Sequence, residues 1–238
     1  SILYISHKLH EIKALCHSAT VMRAGRVTGE CDPRQESPHS MAKMMVGSDL
    51  PVCRPSSVAS GTERCLVVDK VSRPADSAFG TALDQVDLVV RAGEIVGIAG
   101  VSGNGQKELL TVLSGETPIA ENGRVELLGT PVGNADPLVR RRLGMCFVPE
   151  ERLGRGAVPT LSLADNAILT AHDSGMVKGG LLNFSAITAF TRRCIEGFQV
   201  KCGGPDAEAR SLSGGNLQKF IIGREVLQKP KVLIVSQP

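Results

Sequence analysis

The sequence predicts an α/β fold in which parallel strands are covered by helices. Three observations carry that reading. Short apolar runs of strand character alternate with segments of helical period. A glycine-rich turn at 100–105 joins one such strand to one such helix. The 238 residues, 42% of them hydrophobic, suffice to bury a substantial core.

Taken in order, residues 2–6 carry the run Ile2-Leu3-Tyr4-Ile5 and read as a buried strand. Lys8 to Cys16 follows as a short helix with Leu9, Ile12, Leu15 and Cys16 on one face. Ala19–Met22 and Arg26–Glu30, parted by Ala24-Gly25, suit a hairpin. Pro38 opens a second helix and Gly47 ends it; Met41, Met44 and Met45 lie at helical spacing and read as core filler. Leu66–Val71 and Leu83–Val90 alternate as strands do, and residues 94–99 read as a buried strand. A helix containing Leu109, Leu110, Val112 and Leu113 closes at Gly115, and Met145–Val148 is a further strand. Ser162 and Asp165 form a capping box for a helix through Leu169. Residues 185–198 and 214–228 are helical, and Val232–Val235 is a final strand.

Composition excludes several classes. The net charge of +3 shows no basic run, and 3% aromatic residues supply no stacking platform, so nucleic acid is not an expected partner. No apolar run reaches the ~18–20 residues of a membrane-spanning helix. Seven cysteines without a CxxC pair read as reduced thiols, and no metal site is expected. Residues 51–63 lose periodicity and fill with Pro, Ser and Gly, which marks a linker between a unit at 1–50 and another at 64–238. The start in an apolar run without Met and the stop at Pro238 predict a segment of a longer chain.

Two motifs carry chemistry. Gly100, Gly103, Asn104, Gly105, Gln106 and Lys107 belong to a strand-to-helix turn with the context of a phosphate-binding loop, where backbone N–H groups and a helix N-terminus converge on an anion. The pattern G-x-x-x-x-G-K-[ST] fails at both chemical positions: Gln106 takes the Lys place and Lys107 the Ser/Thr place. On residues alone, a turn without a ligand reads as well as a phosphate site. Leu212, Ser213, Gly214, Gly215 and Asn216 open the helix at 214–228, with Ser213 placed as N-cap. An ordinary capped helix is the plain alternative there.

The order of these motifs resembles the ATP-binding cassette (ABC) ATPases, whose fold is a P-loop NTPase with a parallel-sheet core, an antiparallel β subdomain and a helical subdomain. Leu212–Asn216 is similar to their LSGGQ signature, and the strand at 232–235 to their Walker B strand. Glu150, in Pro149-Glu150-Glu151-Arg152, sits at the Q-loop position in place of Gln. Ile5-Ser6-His7-Lys8 resembles the switch-histidine loop, which in this family follows Walker B but here comes first. The resemblance therefore implies tandem cassettes: residues 1–50 end the first, and 64–238 make most of the second, so the fold is incomplete. The LSGGN form of the signature and Pro149-Glu150-Glu151-Arg152 are similar to importers of ribose-type sugars and nucleosides, and Val235-Ser236-Gln237-Pro238 favours the nucleoside branch.

That family implies ATP and Mg2+ as cofactors, transmembrane permease subunits as partners, and an extracytoplasmic solute-binding protein indirectly. It also implies an intramolecular cassette dimer and a peripheral place on the cytoplasmic membrane face. Ser236 and Gln237 occupy the Walker B positions of Asp and Glu, so neither magnesium nor water finds its carboxylate there. The second site is expected to be non-hydrolytic, because phosphoryl transfer rests on positioning and charge. The signature is expected to serve the other cassette's site in trans, with His7 as that site's catalytic residue. Phe79 takes the place of an adenine-stacking aromatic, or simply packs. Residues 150–200 are expected to face the permease. A soluble ABC ATPase outside transport and a regulatory module without nucleotide are the competing classes.

Overall fold

A computed structural model describes residues 2–6, 8–23, 25–47, 61–77, 80–101 and 103–237. His7, Phe79, Ser102, Pro238 and the linker as far as residue 60 lie outside them. The chain divides into two compact units, Ser1–Ser57 and Val58–Pro238.

In the first unit, helix α1 (Leu9–Leu15) precedes a hairpin of β1 (Ala19–Arg23) and β2 (Arg26–Cys31), turned at Gly25 with φ +78°. Helix α2 (Pro38–Val46) begins as the sequence predicts. Ser37 accepts the Ser40 N–H at 3.0 Å, proline stands in the first turn, and Gly47 at φ +83° closes the helix. Met41 is buried, as a core residue should be, and Met44 lies against Gly29 of the hairpin.

Residues 2–6 depart from expectation. They form no strand, and Ile2, Leu3 and Ile5 are about nine-tenths exposed. An apolar run becomes a buried strand only when a neighbour satisfies its backbone and a layer covers its face, and among the described residues neither is present. The segment is tied instead to α1 by polar contacts. Tyr4 donates to the Glu11 carboxylate at 2.6 Å, and Lys8 pairs with it at 3.1 Å. The apolar face expected on α1 is covered only in part: Leu9, Ile12 and Cys16 are half-buried and Leu15 is two-thirds exposed.

The second unit is built on an antiparallel sheet. Strands β3 (Arg64–Arg73), β4 (Leu83–Arg91), β5 (Val125–Leu127) and β6 (Thr130–Pro131) pair in the order β4-β3-β5-β6. Helix α3 (Gln106–Ser114) packs Val112 and Leu113 into the same core as Leu66, Val68, Val125 and Leu127. Helix α4 (Pro137–Arg142), capped by the Asp136 carboxylate at 2.8 Å, leads into β7 (Met145–Val148). Helix α5 (Leu163–Ala171), the hairpin β8 (Val177–Lys178) and β9 (Leu181–Leu182), helix α6 (Phe184–Gly197) and helix α7 (Gly214–Val226) follow. Leu163, Ala167, Phe190, Leu217 and Phe220 join α5, α6 and α7 in a second core. The chain then enters β10 (Val232–Val235), which runs parallel to β7 with Val232 beside Met145 and Val235 beside Val148.

The expected strand at 94–99 is a second correction. These residues pair with nothing among the described residues, and Ile95 is 95% exposed. The parallel sheet is thus the pair β7–β10, rather than a series of strands covered on both faces. The capping box at α5 is also altered: Ser162 accepts the Asp165 N–H at 3.0 Å, but Asp165 takes the Ser162 hydroxyl at 2.6 Å rather than a backbone N–H.

Arg140 is the least foreseeable part of the fold. Its side chain is fully buried and meets five backbone carbonyls: Ala135, Val112, Leu113, Val132 and Gly133, at 2.5–3.2 Å. Two of these lie in the last turn of α3, where carbonyls lack their usual helical partners and a cation is favoured, and Arg140 shares the Val112 carbonyl with the Gly115 N–H. Burial pulls the guanidinium down to about 10. Gly115 makes room for it, since a Cβ there would stand 2.8 Å from Arg140 Nε. Arg140→Met should therefore lower stability by about 3–5 kcal/mol, the cost of orphaned buried polar groups. Urea unfolding checks this, and a loss within ordinary surface-mutation scatter would contradict it.

Candidate functional site

The turn at 100–105 is shaped as the sequence predicts. Gly103 and Gly105 adopt φ +89° and +99°, conformations that residues with a Cβ rarely hold, and Gly105 caps α3. Gly105 is packed by Thr81 and Leu83 at the start of β4. Thr81 Oγ1 donates to the Gly103 carbonyl at 2.7 Å, and its N–H reaches the Glu108 carboxylate at 3.4 Å. Sequence reasoning missed Thr81, because no spacing rule links it to a loop 22 residues later. Lys107 is exposed and no hydrogen bond engages it among the described residues. Gln106 instead folds over the turn: Oε1 accepts the Asn104 N–H and Nε2 donates to the Val101 carbonyl, each at 3.1 Å.

Because β7 and β10 are parallel neighbours, their C-terminal ends emerge side by side. That places Glu150 beside Ser236 and Gln237. The Ser236 N–H bonds to the Val148 carbonyl at 3.0 Å, and Gln237 Nε2 donates to Glu150 Oε1 at 2.7 Å. Gln218, in the second turn of α7, donates to the Gln237 carbonyl at 3.0 Å. Three predicted elements thus meet: the Q-loop position, the Walker B positions and the signature helix. Among the described residues no hydrogen bond joins them to Gly100–Lys107.

At the signature, Ser213 is the N-cap residue by backbone, but its hydroxyl caps no backbone N–H. Ser213 Oγ accepts the Asn216 side-chain amide at 2.9 Å, while Asn216 Oδ1 accepts the Lys201 N–H at 2.9 Å. One Ser213 lone pair is therefore engaged and its O–H proton remains available to donate. Gly214 and Gly215 are exposed, and the first-turn amides of α7 face outward without intrahelical acceptors. The arrangement can hold a phosphate oxygen.

The far end of α7 is fixed by buried charge. Arg224 donates to the Gly156 carbonyl and the Asn166 carbonyl, both at 2.9 Å, and to Glu225 at 3.0 Å. Glu225 also accepts from Arg141 at 2.5 Å and from Thr170 at 2.8 Å. Burial pulls the Arg224 guanidinium below its usual value. Burial alone would raise Glu225, yet the Arg224 and Arg141 guanidiniums bring its carboxyl below the usual carboxylate range. These bonds tie α7 to α4, to α5 and to the turn at 151–157, which follows Glu150. Arg155 of that turn pairs with Glu116, just past α3.

Charge available for a cation is scarce. Ser236 and Gln237 bear no carboxylate, and no group of three or more His, Cys, Asp or Glu residues converges among the described residues. Gln106, Lys107, Ser236 and Gln237 do not fit Mg2+, since none of them offers a carboxylate or hydroxyl pair to it. Cys16, Cys31, Cys65, Cys146, Cys194 and Cys202 are free thiols, with Cys146 and Cys194 pushed up to about 12 by burial and hence unreactive.

The ABC transporter family profile matches residues 83–238, which include the glycine-rich turn, the signature and β10. The chain belongs to the ABC transporter family. A glucose import ATP-binding protein, TsgD13 of Haloferax volcanii, is 37% identical across all of this chain and 44% of its own length. The nucleoside import ATP-binding protein NupA of Lactococcus lactis is 36% identical across all of the chain and 47% of its own length. The ribose import ATP-binding protein RbsA of Pseudomonas putida is 35% identical, again across the whole chain and 45% of its own length. The chain thus spans less than half the length of these relatives. Among solved structures, the dimeric ABC transporter cassette MJ0796 matches with a TM-score of 0.60 at 20% identity, over 73% of this chain and 74% of its own. That likeness establishes the fold, an ABC cassette of the P-loop NTPase class.

Replacing Glu225 by Gln should destabilise the protein by about 3 kcal/mol at neutral pH, because it leaves Arg224 and Arg141 against a neutral group. A carboxyl with a depressed folded pKa stabilises above its unfolded value and loses that contribution as pH falls. Thermal unfolding should show the gap between wild type and Glu225→Gln narrowing once pH drops below about 4.5, the unreacted carboxyl value. A gap constant down to pH 2 would contradict the pairing.

Proposed function

We propose that the chain is part of the ATP-binding subunit of an ABC importer and contributes a signature, rather than a working phosphate loop, to ATP hydrolysis. In this reading residues 1–50 end one cassette, 51–63 link, and 64–238 make most of a second. The cassettes dimerise within one polypeptide. ATP and Mg2+ belong to the composite site whose phosphate loop lies in the first cassette. Ser213 O–H and the amides of Gly214, Gly215 and Asn216 hold the γ-phosphate there, and His7 polarises it. The second cassette's own site, with Gln106, Ser236 and Gln237 at its charged positions, binds phosphate weakly and does not hydrolyse. Loss of a single transition-state donor costs about 10²–10³ in rate, and this site lacks three charged groups.

The observation that carries the reading is the contrast between the two motifs. The Ser213–Asn216 turn presents an available hydroxyl and exposed glycines, whereas among the described residues no charged side chain hydrogen-bonds to the backbone of the loop at 100–107. The import function named for the relatives supports uptake of a simple sugar or nucleoside, driven through permease subunits and supplied by an extracytoplasmic binding protein. The subunit then sits peripherally on the cytoplasmic membrane face. Among the described residues no helix is long and apolar enough to cross a membrane. The β8–β9 hairpin exposes Leu181 and the start of α6 exposes Phe184, 76% and 71% accessible, within the region expected to meet the permease.

Gly215 offers a clean test. A Cβ there would meet nothing within 4 Å and its φ is not positive, so Gly215→Asp should fold normally while placing a carboxylate where the phosphate is held. In the intact ATP-binding subunit, Gly215→Asp should reduce ATP turnover at least 100-fold, the scale of losing a transition-state donor, and far more than Gln106→Ala does. Equal losses in the two variants would refute the assignment.

A further inference from the structure

The phosphate loop at 100–107 is already spanned by one of its own side chains. Gln106, the first residue of α3, turns back so that its carboxamide bridges both arms of the turn, accepting from Asn104 N–H and donating to the Val101 carbonyl. Gly100 creates the room: a Cβ there would stand 2.5 Å from Gln106 Nε2, so the amide lies against the backbone itself. From the other side, Thr81 holds the Gly103 carbonyl. The turn is thereby braced outside and filled inside.

A phosphate enters such a turn by accepting hydrogen bonds from its backbone amides. The carboxamide oxygen of Gln106 is a competing acceptor at one of those amides, and its NH2 group is engaged with a carbonyl rather than offered to a ligand. An incoming phosphate that uses the Asn104 N–H must displace the Gln106 oxygen from it. We infer that Gln106 is an internal ligand of this loop and the residue that sets its affinity for nucleotide phosphates. This rests on the reading of Gly100–Lys107 as a phosphate loop, and deepens it. A loop that only lacks a lysine charge binds phosphate equally well with Gln or Ala at 106; a loop that is self-occupied binds better once the side chain is cut back.

Calorimetric titration of the 238-residue chain with ATP, pyrophosphate and adenosine tests this. Gln106→Ala should tighten ATP and pyrophosphate by roughly two- to tenfold, the net strength of ordinary hydrogen bonds, and leave adenosine unchanged. Gln106→Glu, which keeps the acceptor and adds a negative charge, should weaken both phosphates. Gln106→Lys separates the two ideas at stake. If Lys tightens pyrophosphate while Ala binds it equally or more weakly than wild type, the loop takes phosphate but Gln106 is not its internal ligand. If wild type, Ala and Lys all fail to bind ATP and pyrophosphate, Gly100–Lys107 is not a phosphate loop, and the inference falls with that reading.

Discussion

The second unit depends on one arrangement of buried charge: Arg224 and Glu225 on α7, completed by Arg141 and Thr170. Two ions removed from water are stable only with strong geometry and further hydrogen bonds, and here Arg224 donates to Glu225 and to two carbonyls while Glu225 accepts from four side chains, Gln228 being the fourth. The consequence is mechanical. The helix that opens with Ser213 cannot shift against the turn after Glu150 without breaking a buried bond. Gln218 and Gln237 add an exposed tie nearer the N-terminus of α7. The signature is thus presented on a fixed helix, as a phosphate-holding turn requires, because small misplacements of positioning groups cost large factors in rate.

Against that rigidity, the glycine-rich loop at 100–107 is chemically poor. Its backbone has the shape of an anion cradle, and Gly103 and Gly105 take the conformations such a turn needs. Its side chains contribute no charge inward: Lys107 is exposed and Gln106 satisfies the loop's own backbone. Shape without charge at one motif, and donors without a cap at the other, fit a division of labour between two cassettes. The family assignment stands on sequence over the whole chain, whereas the division of labour is the proposal built on these residues.

Much of this was legible in the sequence. Helix limits at Pro38, Gly47, Gly115 and Gly214 follow local rules of capping and backbone freedom, and the structure agrees with them. Met145–Val148 and Val232–Val235 read as strands and are strands, although their pairing with each other is visible only in the structure. The failures are non-local. Residues 2–6 and 94–99 have the composition of buried strands, but strand formation needs a partner that composition does not name. Arg140, Arg224 and Glu225 were invisible as core residues because charged side chains are seldom fully buried unless paired or bonded, and their partners lie up to 84 positions away. Thr81 and the fold-back of Gln106 were missed for a related reason: motif patterns specify residue types, not the hydrogen bonds they choose.

Amide hydrogen exchange on the intact ATP-binding subunit, with and without ATP at a concentration that saturates turnover, tests the central claim most directly. The account predicts that ATP slows exchange at Gly214–Leu217 while leaving 103–107 little changed. Protection confined to 103–107, with Gly214–Leu217 exchanging as fast as in the nucleotide-free protein, would contradict it.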